Sequence, residues 1–272
     1  VSQPSLAAAA NTVAGWCGLR DVSSLDRQAL SMEAGIPGGV ADLFVLFGGG
    51  VIGTVETLAL AMAQGVARTY AIVGGRGRAT YWLDQAMEQE VATWATGETA
   101  AMPRPGIDSE ANMLDALLRH RHARSADLLE RRSTNCGNNI TYLLDLLEES
   151  NEVPTSVIIS QDAIMQRRMD ATWRRQVADR PPFQDTKVVN WSAYQAVLTA
   201  HNGRLAWEHA PEGMWPIDTY LGMLSGEVTR LTDNEQGYGP RGQDFLIHVD
   251  VSQEVSHAAA TLIGHSAHGH IS

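Results

Sequence analysis

The sequence predicts an α/β protein with a mostly parallel, doubly wound sheet and a small, mainly helical region beside it. Three observations lead there. Apolar runs without polar alternation recur, such as Leu43–Phe47 and the centre of Thr155–Ser160; such runs suit strands buried on both faces. Two successive runs stop at glycine turns, Gly48-Gly49-Gly50 and Gly74-Gly75-Arg76-Gly77. Segments with helical apolar spacing lie between the runs, and strands that alternate with helices build parallel sheets.

In order, residues 1–40 read as an N-terminal helical segment, with Leu6, Val13 and Trp16 as its apolar stripe and Gly35–Gly39 as a linker. The α/β domain is expected over 41–200. Its first strand ends at Phe47, and Thr54 is placed to cap a helix with Val55, Leu58, Ala59 and Met62 on one side. Thr69–Val73 is the second strand, followed by a helix from Thr80 to about Glu90. Residues 93–107 form a loop rich in Thr, Gly and Pro. Asp108-Ser109-Glu110 opens a helix carrying Met113, Leu114, Leu117 and Leu118. Asp127–Glu130 is a short strand, and Ser133–Asn135 cap a helix that buries Tyr142, Leu143, Leu146 and Leu147. Thr155–Ser160, a helix from Ala163 to Val177, and the strand Lys187–Trp191 complete the sheet. Residues 201–272 read as a mainly helical region, with helices at Met214–Leu231 and Val251–Leu262 and a lid-like loop between them.

Composition narrows the function. The net charge of -11 argues against a nucleic-acid partner, because phosphate contacts need a basic face. No apolar run approaches the roughly 20 residues of a membrane span. Two cysteines, Cys17 and Cys136, give no disulfide framework, so a cytoplasmic location and a small-molecule ligand are expected. Lys187 is the only lysine, which leaves arginine as the cation for clamping anionic groups. No metal site is expected; His265, His268 and His270 read as a tail.

Candidate site residues gather where the strands end, the edge at which open α/β sheets bind ligands. Gly48, Gly50 and Gly53 spell G-x-G-x-x-G, but a dinucleotide site needs an acid at the end of the second strand, and Val73-Gly74-Gly75 supplies none. Gly53 therefore reads as a turn residue only. Gly48, Gly49, Gly50, Gly74, Gly75, Arg76 and Gly77 instead let backbone N–H groups approach a ligand. Thr134, Asn135 and Asn139 belong to the polar cluster Ser133–Asn139, whose N–H groups open a helix and suit an anion. Cys136 within it lacks a neighbouring His and reads as a small turn residue. Gln161, Asp162 and Arg167 follow the fourth strand, with Arg167 as the group for an anionic ligand. Arg174 and Arg175 fall seven positions beyond Arg167 and Arg168, on the same side of the helix, and read as a solvated face. Glu110 is either a capping carboxylate or a ligand-facing acid or base. Tyr238 and Arg241, in Gly237–Gly242, offer one stacking ring and one cation on a loop with hinge-like glycines.

Ser133-Thr134-Asn135-Cys136-Gly137, Met165-Gln166-Arg167-Arg168, Gly237-Tyr238-Gly239-Pro240-Arg241-Gly242, Asp244-Phe245 and His248-Val249-Asp250 together resemble the YdcF-like family of bacterial proteins, which also includes SanA and ElyC. The resemblance implies a Rossmann-like three-layer sandwich with a smaller additional region. It also implies binding of S-adenosylmethionine, with no reaction established. It would line the pocket with Gly48–Gly50, Gly74–Gly77, Glu110, Asn135, Asn139, Gln161 and Arg167. Cys136, Asn138 and Ile164 stand where the wider family favours Thr, Glu and His, so roles tied to those side chains do not transfer. Three functions follow as expectations: a ligand-binding protein and possible methyltransferase, a hydrolase or transferase acting on a phosphorylated or lipid-linked envelope precursor, and a non-catalytic ligand sensor.

Overall fold

The computed structural model describes residues 2–94 and 102–268. Five strands form one sheet: β1 (Ala41–Phe47), β2 (Ala67–Val73), β3 (Leu128–Glu130), β4 (Ser156–Ser160) and β5 (Lys187–Asn190). Their order is β3-β2-β1-β4-β5, and every neighbouring pair is parallel. The architecture is the expected Rossmann-like three-layer sandwich. Chain direction reverses outward from β1, so the crevice at the ends of β1 and β4 is the switch point of the sheet.

The lack of polar alternation in β1 has a direct cause. Phe44 and Leu46 enter one core with Val55 and Leu58 of α3 (Val55–Gln64) and Leu114 and Leu117 of α5 (Glu110–His122). Leu43, Val45 and Phe47 enter a second core with Ile140, Leu143, Leu144 and Leu147 of α6 (Cys136–Glu149) and Met169 and Trp173 of α7 (Gln166–Ala178). Both faces of the strand are thereby removed from water. In α6 the buried stripe is Asn139, Ile140, Leu143, Leu144 and Leu147. Tyr142 and Leu146 lie at its rim, where Arg132 covers the Tyr142 ring. Thr54 holds the N-cap position of α3 but makes no side-chain capping bond: it ends a 3-10 turn, Ile52–Thr54, and its hydroxyl donates to the Val51 carbonyl at 2.9 Å.

The N-terminal helix α1 (Gln3–Cys17) joins α8 (Ile217–Leu231) and α9 (Gln253–His268) beside the sheet. Leu6, Val13, Tyr220, Leu224 and Leu262 share the larger core. A β-hairpin that the sequence reading lacked, β6 (Val197–His201) and β7 (Arg204–His209), lies against α1 and crosses the expected boundary at 200. Its turn is Asn202-Gly203, both with positive φ, the conformation that a two-residue hairpin turn demands. Asn11 pairs with the backbone of Leu198 in both directions, at 2.8 and 2.9 Å. The 93–107 loop falls partly outside the described residues, as does His270. Helices α2 (Arg27–Met32) and α4 (Thr80–Val91) complete the set named here.

Candidate functional site

At the carboxyl edge the strand ladder continues one residue into each glycine turn. Gly48 N–H donates to the Val73 carbonyl at 2.7 Å, and Gly74 N–H to that of Glu130 at 3.0 Å. The turns then pack on one another. A Cβ on Gly48 would strike the Glu110 side chain, and one on Gly75 would strike the backbone of Arg132 and Ser133. These glycines are dictated by close approach of the protein's own groups.

Glu110 reaches the turns because α5 docks end-on. Ser109 caps the helix by accepting from Asn112 N–H at 3.1 Å, and the Glu110 and Ala111 N–H groups donate to the Gly75 and Gly74 carbonyls at 2.8 and 2.9 Å. The backbone amides of the helix start are thus used internally. The Thr80 hydroxyl accepts from Gly77 N–H at 2.7 Å and donates to Glu110 Oε1 at 2.5 Å. Burial, opposed by that hydrogen bond and reinforced by the charge of Asp162, pushes the Glu110 carboxyl up to about 7.

Asp162 stands on the other side of the Gly48–Gly50 turn. Its Oδ2 accepts from Gly50 N–H at 3.3 Å, while Oδ1 is buried without a partner. Burial pushes this carboxyl up to about 7 as well. Gln161 sets its position: Nε2 donates to the Gly48 carbonyl at 3.0 Å, and Oε1 accepts from Asp162 N–H at 2.7 Å. Gln166 in turn fixes Gln161 by accepting its N–H at 2.8 Å. Trp215 closes the turn from above, with its indole beside Gly50. Its Nε1 and the hydroxyl of Tyr194 are also buried without partners.

A second buried polar group adjoins α6. Arg168 of α7 forms an ion pair with Glu227 of α8, which Arg230 also approaches at 3.4 Å. Burial raises the Cys136 thiol above its ordinary range. Cys136 is the first residue of α6 rather than a turn residue.

The structure brings together Gly48, Gly49, Gly50, Gly74, Gly75, Glu110, Gln161 and Asp162. Other candidates go elsewhere. Arg76 is committed to Asp84 at 2.6 Å and to the Asp108 carbonyl at 2.7 Å. Arg167 donates to the Trp16 carbonyl at 2.6 Å and stacks on the Trp16 ring, which ties α7 to α1. Thr134, Asn135 and Asn138 bond to one another as an exposed cap, and Asn139 turns into the core. Gly77 approaches the Thr134 carbonyl. The loop with Tyr238 and Arg241 is clasped onto α7: Arg175 pairs with Asp244, Ile247 N–H donates to the Ala171 carbonyl, and Tyr238 packs edge-on against Phe245. Its glycines serve contact, since Cβ atoms on Gly237 and Gly242 would meet backbone carbonyls. Arg174 and Arg175 do face solvent, but paired with Asp170, Asp179 and Asp244. Gly53 is more than a turn residue: its N–H donates to the Glu212 carbonyl at 3.1 Å, and a Cβ there would press on Pro211 and Glu212.

Sequence reading missed Thr80, Ser133, Gln166, Arg168, Tyr194, Trp215 and Glu227. Ser133, Gln166 and Arg168 lay within quoted motifs and Thr80 at an expected helix start, but none was read for the contact it makes; Tyr194, Trp215 and Glu227 belong to no motif. Among the described residues no group of three or more His, Cys, Asp or Glu is placed to hold a metal ion, and no helix is long and apolar enough to cross a membrane. No protein-family model matches the chain.

Proposed function

We propose that this chain is a cytoplasmic protein that binds S-adenosylmethionine, or a nucleoside-type ligand like it, at the carboxyl edge of the sheet. The observation that carries the reading is the pair of buried carboxyls, Glu110 and Asp162, set against adjoining glycine turns at the switch point. Such a pair favours a ligand bearing positive charge and hydroxyl donors, and S-adenosylmethionine offers a sulfonium, an ammonium and a ribose diol. Transfer of the sulfonium methyl group to a second substrate is the reaction this reading leads to. Glu110, with a carboxyl near neutrality, would take the acceptor's proton.

The phosphate-directed reading has less support, because Arg167 and Arg76 are held by Trp16 and by Asp84. The enclosure of Asp162 and Trp215, each no more than 1% exposed, favours a second reading, a sensor that binds without turnover. Calorimetric titration of S-adenosylmethionine into the full chain tests the proposal. Binding that tightens from pH 6 to pH 8, as the carboxyls ionise, is the expected result. No heat at millimolar ligand rules it out. Binding without methyl-donor consumption across a panel of acceptors selects the sensor.

A further inference from the structure

Two buried side chains, Asp162 and Trp215, flank the Gly49–Gly50 backbone, and each carries one unpartnered polar atom. Asp162 presents Oδ1, an acceptor when ionised, and Trp215 presents Nε1–H, which can only donate. Both residues are buried, and a buried polar atom without a partner gives up its solvation uncompensated unless something pairs with it. The protein's own backbone already uses the other oxygen of Asp162, through Gly50 N–H. What remains is one donor and one acceptor, carried by side chains that meet the same turn from different segments of the chain.

Trp215 does not belong to the sheet. It ends a short strap, Pro211–Trp215, laid over the first glycine turn. The strap is fastened by the Gly53 N–H bond to the Glu212 carbonyl and by two hydrogen bonds from Arg121 to the Glu212 carboxylate, at 2.7 and 2.9 Å. A cavity of about 170 Å³, lined by Ile52, Ala86, Gln89, Glu90, Glu212 and Gly213, runs along its edge. The strap is therefore a cover with space beside it, held by these polar contacts and by Trp215 and Met214, which pack on the larger core.

We propose that Trp215 and Asp162 form the base-recognition end of the ligand site, reached when the strap lifts, and that they select an adenine-type amidine edge. Such an edge offers one ring-nitrogen acceptor beside one exocyclic N–H donor. Trp215 Nε1–H meets the acceptor and Asp162 Oδ1 the donor. A 6-oxo purine reverses the pattern, placing an oxygen against the carboxylate and an N–H against the indole. This inference rests on the nucleoside reading above and adds the side of the ligand that is read.

The test uses the full chain with S-adenosylmethionine as the titrant, and adenosine and inosine as competitors. Trp215→Phe, which keeps an aromatic ring and removes the donor, is expected to weaken S-adenosylmethionine at least tenfold while thermal melting confirms its fold. In the unaltered protein, adenosine is expected to compete and inosine at the same concentration to fail. Equal competition by the two nucleosides overturns the proposal and leaves the parent reading intact, as does unchanged affinity in a folded Trp215→Phe. Absence of any S-adenosylmethionine binding to the unaltered protein overturns both.

Discussion

Asp162 and Glu110 show what burial does to two ordinary carboxyls. Burial dominates in each, with Arg76 offsetting only part of it at Glu110, and each is pushed up to about 7. The protonation of the site therefore changes across neutral pH. Asp162→Asn is expected to flatten the pH dependence of S-adenosylmethionine binding between pH 6 and 8, with about a tenfold loss at pH 8 and little loss at pH 6. Calorimetry at the two pH values checks this. The glycines make a second contrast. Gly75→Ala drives a methyl group into the Ser133 backbone and is expected to cost about 1–3 kcal/mol, or to prevent folding, as overpacking against a rigid neighbour does. Gly222→Ala, in the middle of exposed α8 surface with nothing within 4 Å of the added carbon, is expected to stabilise by about 0.5–1 kcal/mol. Urea unfolding of the two variants separates a packing glycine from a dispensable one. The sequence shows both residues as the same letter; only the distance to other backbone distinguishes them.

Elements dock through polar contacts as well as through cores. Arg168 of α7 is partly buried and pairs with the buried Glu227 of α8. Arg168→Ala leaves Glu227 with the more distant Arg230, and a loss of about 3–5 kcal/mol is expected. The double variant Arg168→Met, Glu227→Leu is expected to recover most of that loss in chemical denaturation, because no unpaired charge remains. The strap over the site is held differently. Arg121 bonds Glu212 and Glu90 at once, so Arg121→Ala is expected to loosen Pro211–Trp215. Hydrogen exchange reads this at the Gly53 amide, whose acceptor is on the strap: its protection should fall at least tenfold while amides within β1 keep theirs. Element by element, β1 and β2 were legible as dense apolar runs ending at glycines, and β4 as an apolar run without alternation. The β6–β7 hairpin went unread although its turn carries a local signal, Asn202-Gly203 between Val197–His201 and Arg204–His209. The strap was not legible: Pro211–Trp215 has no period, and its role comes from where Gly53 lets it lie.

For the whole molecule, the raised carboxyls set the direction of the pH response. Between the ordinary values of 3.8 and 4.5 and about 7, the folded chain holds protons that the unfolded chain releases, so stability falls as pH rises through that window and levels off above it. Asp42, Glu90 and Asp108 have lowered values; their contribution is present at neutral pH and is lost as pH falls below the ordinary carboxylate range. Together these place the stability maximum at about pH 4, where the acid-side loss gives way to the decline above it. Thermal melting from pH 3 to 9 is expected to show that maximum, and Asp162→Asn to reduce the decline on its alkaline side. The same scale explains why α1 and α9, at opposite ends of the chain, pack together. Each has one apolar side that the sheet alone does not cover, and their shared core with Tyr220 and Leu224 covers both.

The sequence by itself determined the parallel sheet, its glycine-ended strands and the edge at which a site would form, because those depend on apolar runs and on backbone freedom, both local properties. It also placed Glu110, Gln161 and Asp162 at that edge. Tertiary structure alone decided which polar groups stay there. Arg167 and Arg76 found partners in distant segments, while Trp215, from a strap with no pattern of its own, came to lie on Gly50. Hydrogen-bond partners and burial are set by contacts between residues far apart in the chain, and no local pattern encodes them.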